Sequence, residues 1–591
     1  MINELVAKAT VSGIAQLYNQ SIDAATIQVQ DTKKEFEGDL TVVVFPLLRV
    51  SKKYPVETGE DLGNYLVANC NEVASFNVVK GFLNLTIVNS FWLGELSKHV
   101  GDLEFGIAKE KSGSTYMVEY SSPNTNKPLH LGHLRNIFLG HSVAEILKAN
   151  GHEVYKTQII NDRGIHICKS MLAWQLFGNG ETPESTGLKG DKFVGKYYVA
   201  FDKEYKIQIA DLIGKGIEEK EAKKKAPILV EAQQMLLKWE AKDPEIYALW
   251  EKMNGWVYAG FEQTYQTMGV SFDKLYYESS TYILGKKVVE DGLADGSYYQ
   301  KEDGSAWVDL SDRKMDDKLL LRADGTSVYM TQDIGTAIER YKDYPSLSGL
   351  IYTVGNEQEH HFKVLFAILQ KLGFEWASGC SHLSYGMVEL PSGKMKSREG
   401  TVVDADDLML SVVDDAREMA KERGQLEGLS DAEREELYRT IGLGGLKYYL
   451  LRVDPKRGMM FNPEESIDLN GNTAPFVQYS YVRILSILKK ADELTEIDCS
   501  EEIGEIEKNL IIEVLKFSNA IQEAGKHLEP SILVNYTFNL VRQFNSFYQQ
   551  VSILKEENES LRNIRLQISA LTATVIKNAM KLMGISVPNQ M

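Results

Sequence analysis

The sequence predicts a multidomain α/β chain: a small α/β domain first, then a parallel-sheet domain carrying an insertion, then an all-helical bundle. Three observations carry this. Residues 115–160 read as strand, irregular loop, helix and strand, the order of a parallel β-α-β unit. Strand-like and helical runs alternate again between 281 and 390. From 401 to 591 nearly every apolar run has helical spacing. A chain of 591 residues is also too long for one core.

The elements follow in order. In residues 1–110, Leu40–Leu48 and Val78–Val88 read as strands, the second interrupted by Gly81, with a helix over Asp61–Cys70 between them. Lys33, Lys34, Arg49, Lys52 and Lys53 lie in its loops. Residues 111–400 form the second domain. Tyr116–Tyr120 reads as a buried strand, and Pro123, Asn124, Asn126 and Pro128 break the structure after it. The helix from Leu131 stops at Asn150-Gly151, and Glu153–Ile160 is the next strand. Asn161-Asp162-Arg163-Gly164 then turns at a strand's carboxyl end, where open α/β sheets bind ligands. Residues 177–280 interrupt the pattern, with a small helical core suggested by Trp239, Trp250 and Trp256. Ala306–Leu310, Ser327–Met330 and Leu350–Val354 are strand-like. Helices are expected over Ala432–Leu451, Val477–Leu494, Ile506–Ala524, Val534–Leu554 and Leu561–Met583.

Composition narrows the function. Four scattered cysteines form neither a disulfide framework nor a zinc ribbon. No apolar run has the length of a membrane span and no secretory signal opens the chain, so a cytoplasmic protein is expected. A net charge of −18 argues against a nonspecific nucleic-acid binder. It is compatible with a specific one that uses local basic patches.

The chemistry centres on His130-Leu-Gly132-His133, at the mouth of the helix that follows the first strand. Helix N-termini attract phosphate, glycine admits a close ligand, and imidazoles donate to anionic oxygens. Neither G-x-G-x-x-G nor G-x-x-x-x-G-K-[ST] is present, and His-x-x-His lacks the further ligands of a zinc site. About 260 residues on comes Gly393-Lys394-Met395-Lys396-Ser397-Arg398-Glu399-Gly400.

These two stretches together resemble the signatures of class I aminoacyl-tRNA synthetases. The wording Ser121-Ser-Pro-Asn-Thr-Asn-Lys-Pro-Leu-His130-Leu-Gly-His-Leu-Arg135 resembles the arginyl-tRNA synthetases in particular. So do Val79-Lys-Gly-Phe82-Leu-Asn84, Tyr329-Met-Thr-Gln-Asp333, Gly355-Asn-Glu-Gln358-Glu-His-His361-Phe and Gln478-Tyr479-Ser-Tyr-Val-Arg483. The resemblance implies a Rossmann-type (HUP-like) catalytic domain over 111–400 with a connective insertion at 177–280. It implies an N-terminal tRNA-contacting domain over 1–110, and a helical stem-contact and anticodon-binding domain over 401–591.

It also implies an ATP-dependent, two-step aminoacylation: arginine and ATP, entering with Mg2+, give arginyl-adenylate, and the arginyl group passes to the 3′ end of tRNA(Arg). A monomer without structural metal is expected. His130, His133, Lys394 and Lys127 are the implied catalytic residues, and Gly132, Met395, Lys396 and Arg398 complete the ATP site. Ser397 stands where many relatives carry a second lysine; Lys127, Lys396 and Arg398 are each placed to replace it. Glu119, Asn124, Tyr329, Asp333 and Gln358 are the implied arginine ligands, since a guanidinium fork matches carboxylates best. Glu119 within an apolar strand is costly unless paired, which favours a ligand role. Asp333 equally suits a helix N-cap before Ile334. Gln478, Tyr479 and Arg483 are implied in tRNA binding. Pro588–Met591 is expected either near the anticodon or frayed. A synthetase for cysteine or glutamine fits less well, lacking a cysteine cluster for the one and a cationic pocket for the other. A non-catalytic tRNA-binding relative would have no use for intact His130, His133 and Lys394.

Overall fold

In the computed structural model the described residues are 2–391, 403–423, 428–491 and 493–591. The Lys394, Met395, Lys396 and Arg398 positions lie outside them. Chain contacts divide the molecule into two compact units.

The first unit comprises residues 1–103, 484–516 and 542–574. Its antiparallel sheet contains β1 (Val29–Asp31), β2 (Leu40–Val43), β3 (Val73–Val79) and β4 (Phe82–Ile87), in the order β1-β2-β4-β3. The run from Leu40 stops as a strand at Val43, because Pro46 lies in a 3-10 turn over Phe45–Leu47. Gly81 does not interrupt a strand. It makes one: Lys80 and Gly81, both at positive φ (51° and 84°), form the two-residue turn of the β3–β4 hairpin. The helix read over Asp61–Cys70 spans Pro55–Asn69, with Pro55 at its first position.

The second unit holds residues 104–483, 517–541 and 575–591. Its centre is a five-stranded parallel sheet built from β5 (Thr115–Glu119), β6 (Glu153–Ile160), β7 (Lys274–Tyr277), then, beyond three short antiparallel strands β8 (Tyr299–Gln300), β9 (Ala306–Val308) and β10 (Lys318–Leu321), from β11 (Leu347–Gly355) and β12 (Cys380–Tyr385). The order is β12-β11-β5-β6-β7. Successive strands therefore run outward from β5 on one side and from β11 on the other. The switch lies between β5 and β11, and doubly wound sheets bind ligands at the carboxyl ends beside such a switch. Beyond β12, β13 (Val388–Glu389) pairs in parallel with β14 (Met459–Met460).

The stretch 177–280 is helical up to β7, with long helices over Gly190–Gly214, Pro227–Glu240 and Pro244–Met268. Its tryptophans form two clusters rather than one: Trp239 against Trp250 at 5.4 Å, and Trp256 against Trp174 and Phe193 at 5.8 and 5.3 Å. Ser327–Met330, read as a strand, instead opens the helix Tyr329–Asp343. Its buried Met330, Ile334, Ala337 and Tyr341 recur at helical spacing, a period that four residues are too few to reveal. The longer helices beyond 401 are Ala405–Arg423, Asp431–Leu451, Ala474–Leu488, Glu505–Leu515, Phe517–His527, Pro530–Gln550 and Glu559–Leu582. The run Ile506–Ala524 is thus two helices, divided at Lys516. The C-terminal segment does not fray: Ser142 donates to the Leu582 carbonyl at 3.0 Å, and Met591 packs beside Ala416, Leu437 and Ile441. Among the described residues no helix is long and apolar enough to cross a membrane.

Candidate active site

The helix Leu131–Ala149 starts at the switch point, and Asn136 fastens it there. Its Oδ1 accepts from the Ser121 amide at 2.5 Å, and its Nδ2 donates to Thr353 O of β11 at 2.7 Å and to the Tyr385 hydroxyl at 3.1 Å. Ser121 is two residues beyond Glu119, so Asn136 ties the helix that carries His130 and His133 at its start to the end of β5. Arg135, fully buried, donates to Gly386 O at 2.5 Å and Pro455 O at 3.3 Å, holding the strand that leads toward Lys394. The sequence reading passed over Arg135 and Asn136, although a charged and an amide side chain on an apolar helix were the available signal.

The first turn is closed on itself. His130 is the N-cap; its Nδ1 accepts from the Gly132 amide at 3.1 Å, and the His130 amide donates to His133 Nδ1 at 3.1 Å. The Leu131 amide is taken by Val403 O and the His133 amide by His130 O. The expected free amides are therefore occupied. Gly132 has a different purpose here: a Cβ there would stand 3.0 Å from His130 Cε1, so glycine makes room for the capping ring. Burial, reinforced by the Lys127 charge, pushes His130 down to about 4. Burial, then His130 and Lys127, puts His133 well below its ordinary value. Both rings are neutral at pH 7. With each Nδ1 accepting, the proton sits on Nε2, leaving two Nε2–H donors.

The carboxylate at the end of β5, Glu119, differs from expectation. This residue is 6% exposed and forms an ion pair with Arg340, itself 1% exposed, on the helix Tyr329–Asp343. Burial raises the carboxyl and Asp333 adds to that, while Arg340 draws it down. The argument that Glu119 lacks a partner until a ligand arrives is thus corrected: Arg340 supplies the partner from 221 residues away. Asp333 lies two turns before Arg340 on the same helix face, inside the helix rather than at its cap, and its Oδ2 is 2.6 Å from His361 Nε2. Tyr329, one turn earlier, is 78% exposed. Gln358 is exposed directly after β11, and Asn124 is exposed where it bridges to Asn161.

Asn161–Gly164 is more than a turn. Buried Asp162 accepts from Ser279 N at 2.8 Å, Ser279 Oγ at 2.7 Å and Tyr258 Oη at 3.0 Å, and its carbonyl takes Trp250 Nε1 at 2.6 Å. Arg163 lies on the Tyr282 ring at 3.7 Å and bonds Glu240 at 2.9 Å. Beside it Glu278, unnoticed in the sequence, is pushed up to about 7 by burial and by the charges of Asp162 and Asp333, against the pull of Arg163. Four carboxylates, Glu119, Asp162, Glu278 and Asp333, thus share one field with two guanidiniums, and Arg163 is also engaged by Glu240.

Of the three residues implied in tRNA binding, Gln478 is fully buried, its amide donating to Thr440 O at 3.1 Å and Ser586 O at 2.8 Å. It holds the C-terminal segment and is closed to RNA. Tyr479 and Arg483 are half-buried, with the guanidinium 5.0 Å from the ring centre.

The family model for the catalytic domain of class I tRNA synthetases of the arginine type matches residues 101–462, and that of the DALR anticodon binding domain matches residues 477–591. The arginine–tRNA ligase of Bacteroides thetaiotaomicron is 55% identical over 596 residues, covering all of both chains. The chain belongs to the class I arginine–tRNA ligases. The ligase of Flavobacterium psychrophilum is likewise 55% identical over 601 residues, again over all of both chains. The arginyl-tRNA synthetase structure from Thermus thermophilus superposes with a TM-score of 0.78 over both whole chains at 23% identity, a likeness of fold. Membership of this family removes the cysteine and glutamine alternatives.

Proposed function

We propose that the crevice activates arginine as its adenylate and then transfers it to tRNA(Arg), with the following division of work. The arginine carboxylate is already ionised at neutral pH, so the first step needs no protein nucleophile; it needs an in-line approach to the α-phosphate and relief of developing charge. The two Nε2–H groups of His130 and His133, with the helix dipole behind them, hold the triphosphate. ATP enters as its magnesium complex, the cation arriving on the phosphates. Lys394 neutralises the departing pyrophosphate, with Lys127 beside the histidines and Met395, Lys396 and Arg398 bordering the same nucleotide.

Arginine is selected at the opposite side. The observation that carries this reading is the excess of carboxylate over guanidinium around Asp333 and Glu278. Burial, with the charges of Asp162 and Asp333 added, keeps Glu278 near 7, and a further guanidinium beside it favours its charged form. Asp333 and Glu278 accept from the substrate, Glu119 acts from behind through Arg340, and Tyr329, Asn124 and Gln358 take the aliphatic stem and the α-amino acid end. An analogue without the forked donors forgoes these charge-assisted bonds, which supports discrimination of roughly 10⁴–10⁵ without editing. Tyr479 and Arg483 serve tRNA, and the chain acts as a monomer in the cytoplasm.

The test is arginine-dependent exchange of pyrophosphate into ATP, measured with tRNA present. His133→Ala is expected to cut it by about 10² if that N–H meets charge developing in the transition state. Exchange driven by another amino acid instead of arginine, or an unchanged rate in His133→Ala, overturns the assignment.

A further inference from the structure

The His130 segment is gripped from two sides by the start of one helix outside the parallel sheet. Leu129–Leu131 lies along Val403–Ala405: the Ala405 amide donates to Leu129 O at 2.9 Å, the Leu131 amide to Val403 O at 3.4 Å, and His130 bridges Asp404. Asp404 then caps the helix Ala405–Arg423, accepting from the amides of Asp406 at 2.8 Å and Asp407 at 3.3 Å. Three carboxylates at one helix start repel one another, and two lysines hold them. Lys192 reaches Asp407 at 2.7 Å and Asp404 at 3.4 Å. Lys189 reaches Asp406, Thr264 and, at 3.2 Å, the fully buried Asp191, while Thr264 donates to Asp406 at 2.9 Å. Both lysines belong to the start of the helix Gly190–Gly214. One turn further, Gly195 of that helix faces the other flank of the signature: a Cβ there would stand 2.9 Å from Pro128 Cδ and 3.7 Å from Lys127 Cα.

We propose that the start of this helix, through Lys189, Lys192 and Gly195, is a positioning clamp that fixes His130 for the triphosphate, so that adenylate formation depends on residues that touch no substrate. The inference rests on the nucleotide role assigned to His130 and His133 above. The logic is geometric. Val403–Ala405 runs beside the backbone of Leu129–Leu131, its place set by the Asp404–Asp407 carboxylates, and the Gly195 surface packs on Lys127 and Pro128 immediately before them. Releasing either lets His130 shift, and misplacement by about 1 Å can cost on the order of 10² in rate. The arginine pocket, on the other side of the crevice, is left as it was.

The decisive readout is the split between the two substrates' KM values in tRNA-dependent pyrophosphate exchange. A merely structural lesion lowers the active fraction and moves neither KM. In Lys189→Met/Lys192→Met the ATP KM is expected to rise at least fivefold and kcat to fall about tenfold, with the arginine KM within twofold of the parent. Lys192→Asp should behave alike, and adding Asp407→Lys should recover most of the loss. Gly195→Ala, which leaves every charge in place, should show the same split. Unchanged ATP KM in both the lysine and the glycine variants overturns the clamp, as does an equal rise in both KM values. Absence of arginine-dependent exchange in the parent chain overturns the functional reading instead, so the two failures are separable.

Discussion

Glu119→Gln removes the charge from one partner of a pair in which both side chains are at most 6% exposed. Arg340 is left behind with the rings of Tyr276 and Tyr352 at 5.1 and 5.5 Å. Those faces return about 1–2 kcal/mol at best. Breaking a buried pair by removing one charge costs about 3–5 kcal/mol, because the survivor has no counter-charge. Arg340→Met is the mirror case. The abandoned carboxylate keeps Asp333 as a like-charged neighbour, so it neutralises, and the cost falls in the same range. The double variant Glu119→Gln/Arg340→Met abandons no ion and should cost about 2 kcal/mol or less, an interaction energy of at least about 4 kcal/mol in the cycle.

The assay must respect the size of the chain, since one unfolding free energy is not defined for a multidomain protein. Hydrogen exchange of the β5 and β11 amides reports the local opening free energy where the pair sits. Single variants should lose several-hundredfold protection there, and the double variant should regain most of it. Additive losses, with coupling below about 0.5 kcal/mol, would refute the idea that the pair is an internal support. Glu119 would then return to being a ligand awaiting its guanidinium.

Two further outcomes follow from the titrating groups. Glu278 sits near 7 in the free protein, and kcat/KM reports free-enzyme groups; for arginine it should therefore rise with pH, level off above 7, and lose that limb in Glu278→Gln, whereas a parent profile flat from pH 6 to 8 removes Glu278 from the pocket. His130 is held at about 4 against an ordinary 6.5, so the unfolded chain takes up the proton first: stability is full above 6.5, declines as pH falls, and ends about 3 kcal/mol lower near pH 4. Acid unfolding should accordingly begin at lower pH in His130→Gln, and an unshifted acid midpoint argues that the ring is not buried as described.

Local sequence reached as far as local physics does. The strand over Glu153–Ile160 and the helix from Leu131 to its Asn150-Gly151 stop were legible because period, breakers and caps are written within a dozen residues. The histidines' position at the helix start followed from the same signals. What stayed hidden depends on who meets whom across the sheet. Arg340 answers Glu119 only because β11 lies beside β5, and nothing near either residue announces that. Glu278 looked like one more acid at the end of an insertion, since its elevated proton affinity comes from burial in the folded chain and then from Asp162 and Asp333, 116 residues before it and 55 after. The same limit explains Gln478: its motif spoke for RNA, but the Ser586 carbonyl that closes it off arrives from the other end of the chain.

A motif therefore names the chemistry more securely than the job of each letter. In His130-Leu-Gly132-His133 the glycine accommodates a ring, one imidazole caps a helix and the other caps the cap, so both Nδ1 atoms are engaged within the turn. The proposed nucleotide role therefore rests on two Nε2–H donors whose direction the surrounding backbone sets, and the proposed clamp of Val403–Ala405 and the Gly195 surface acts on that direction without touching substrate.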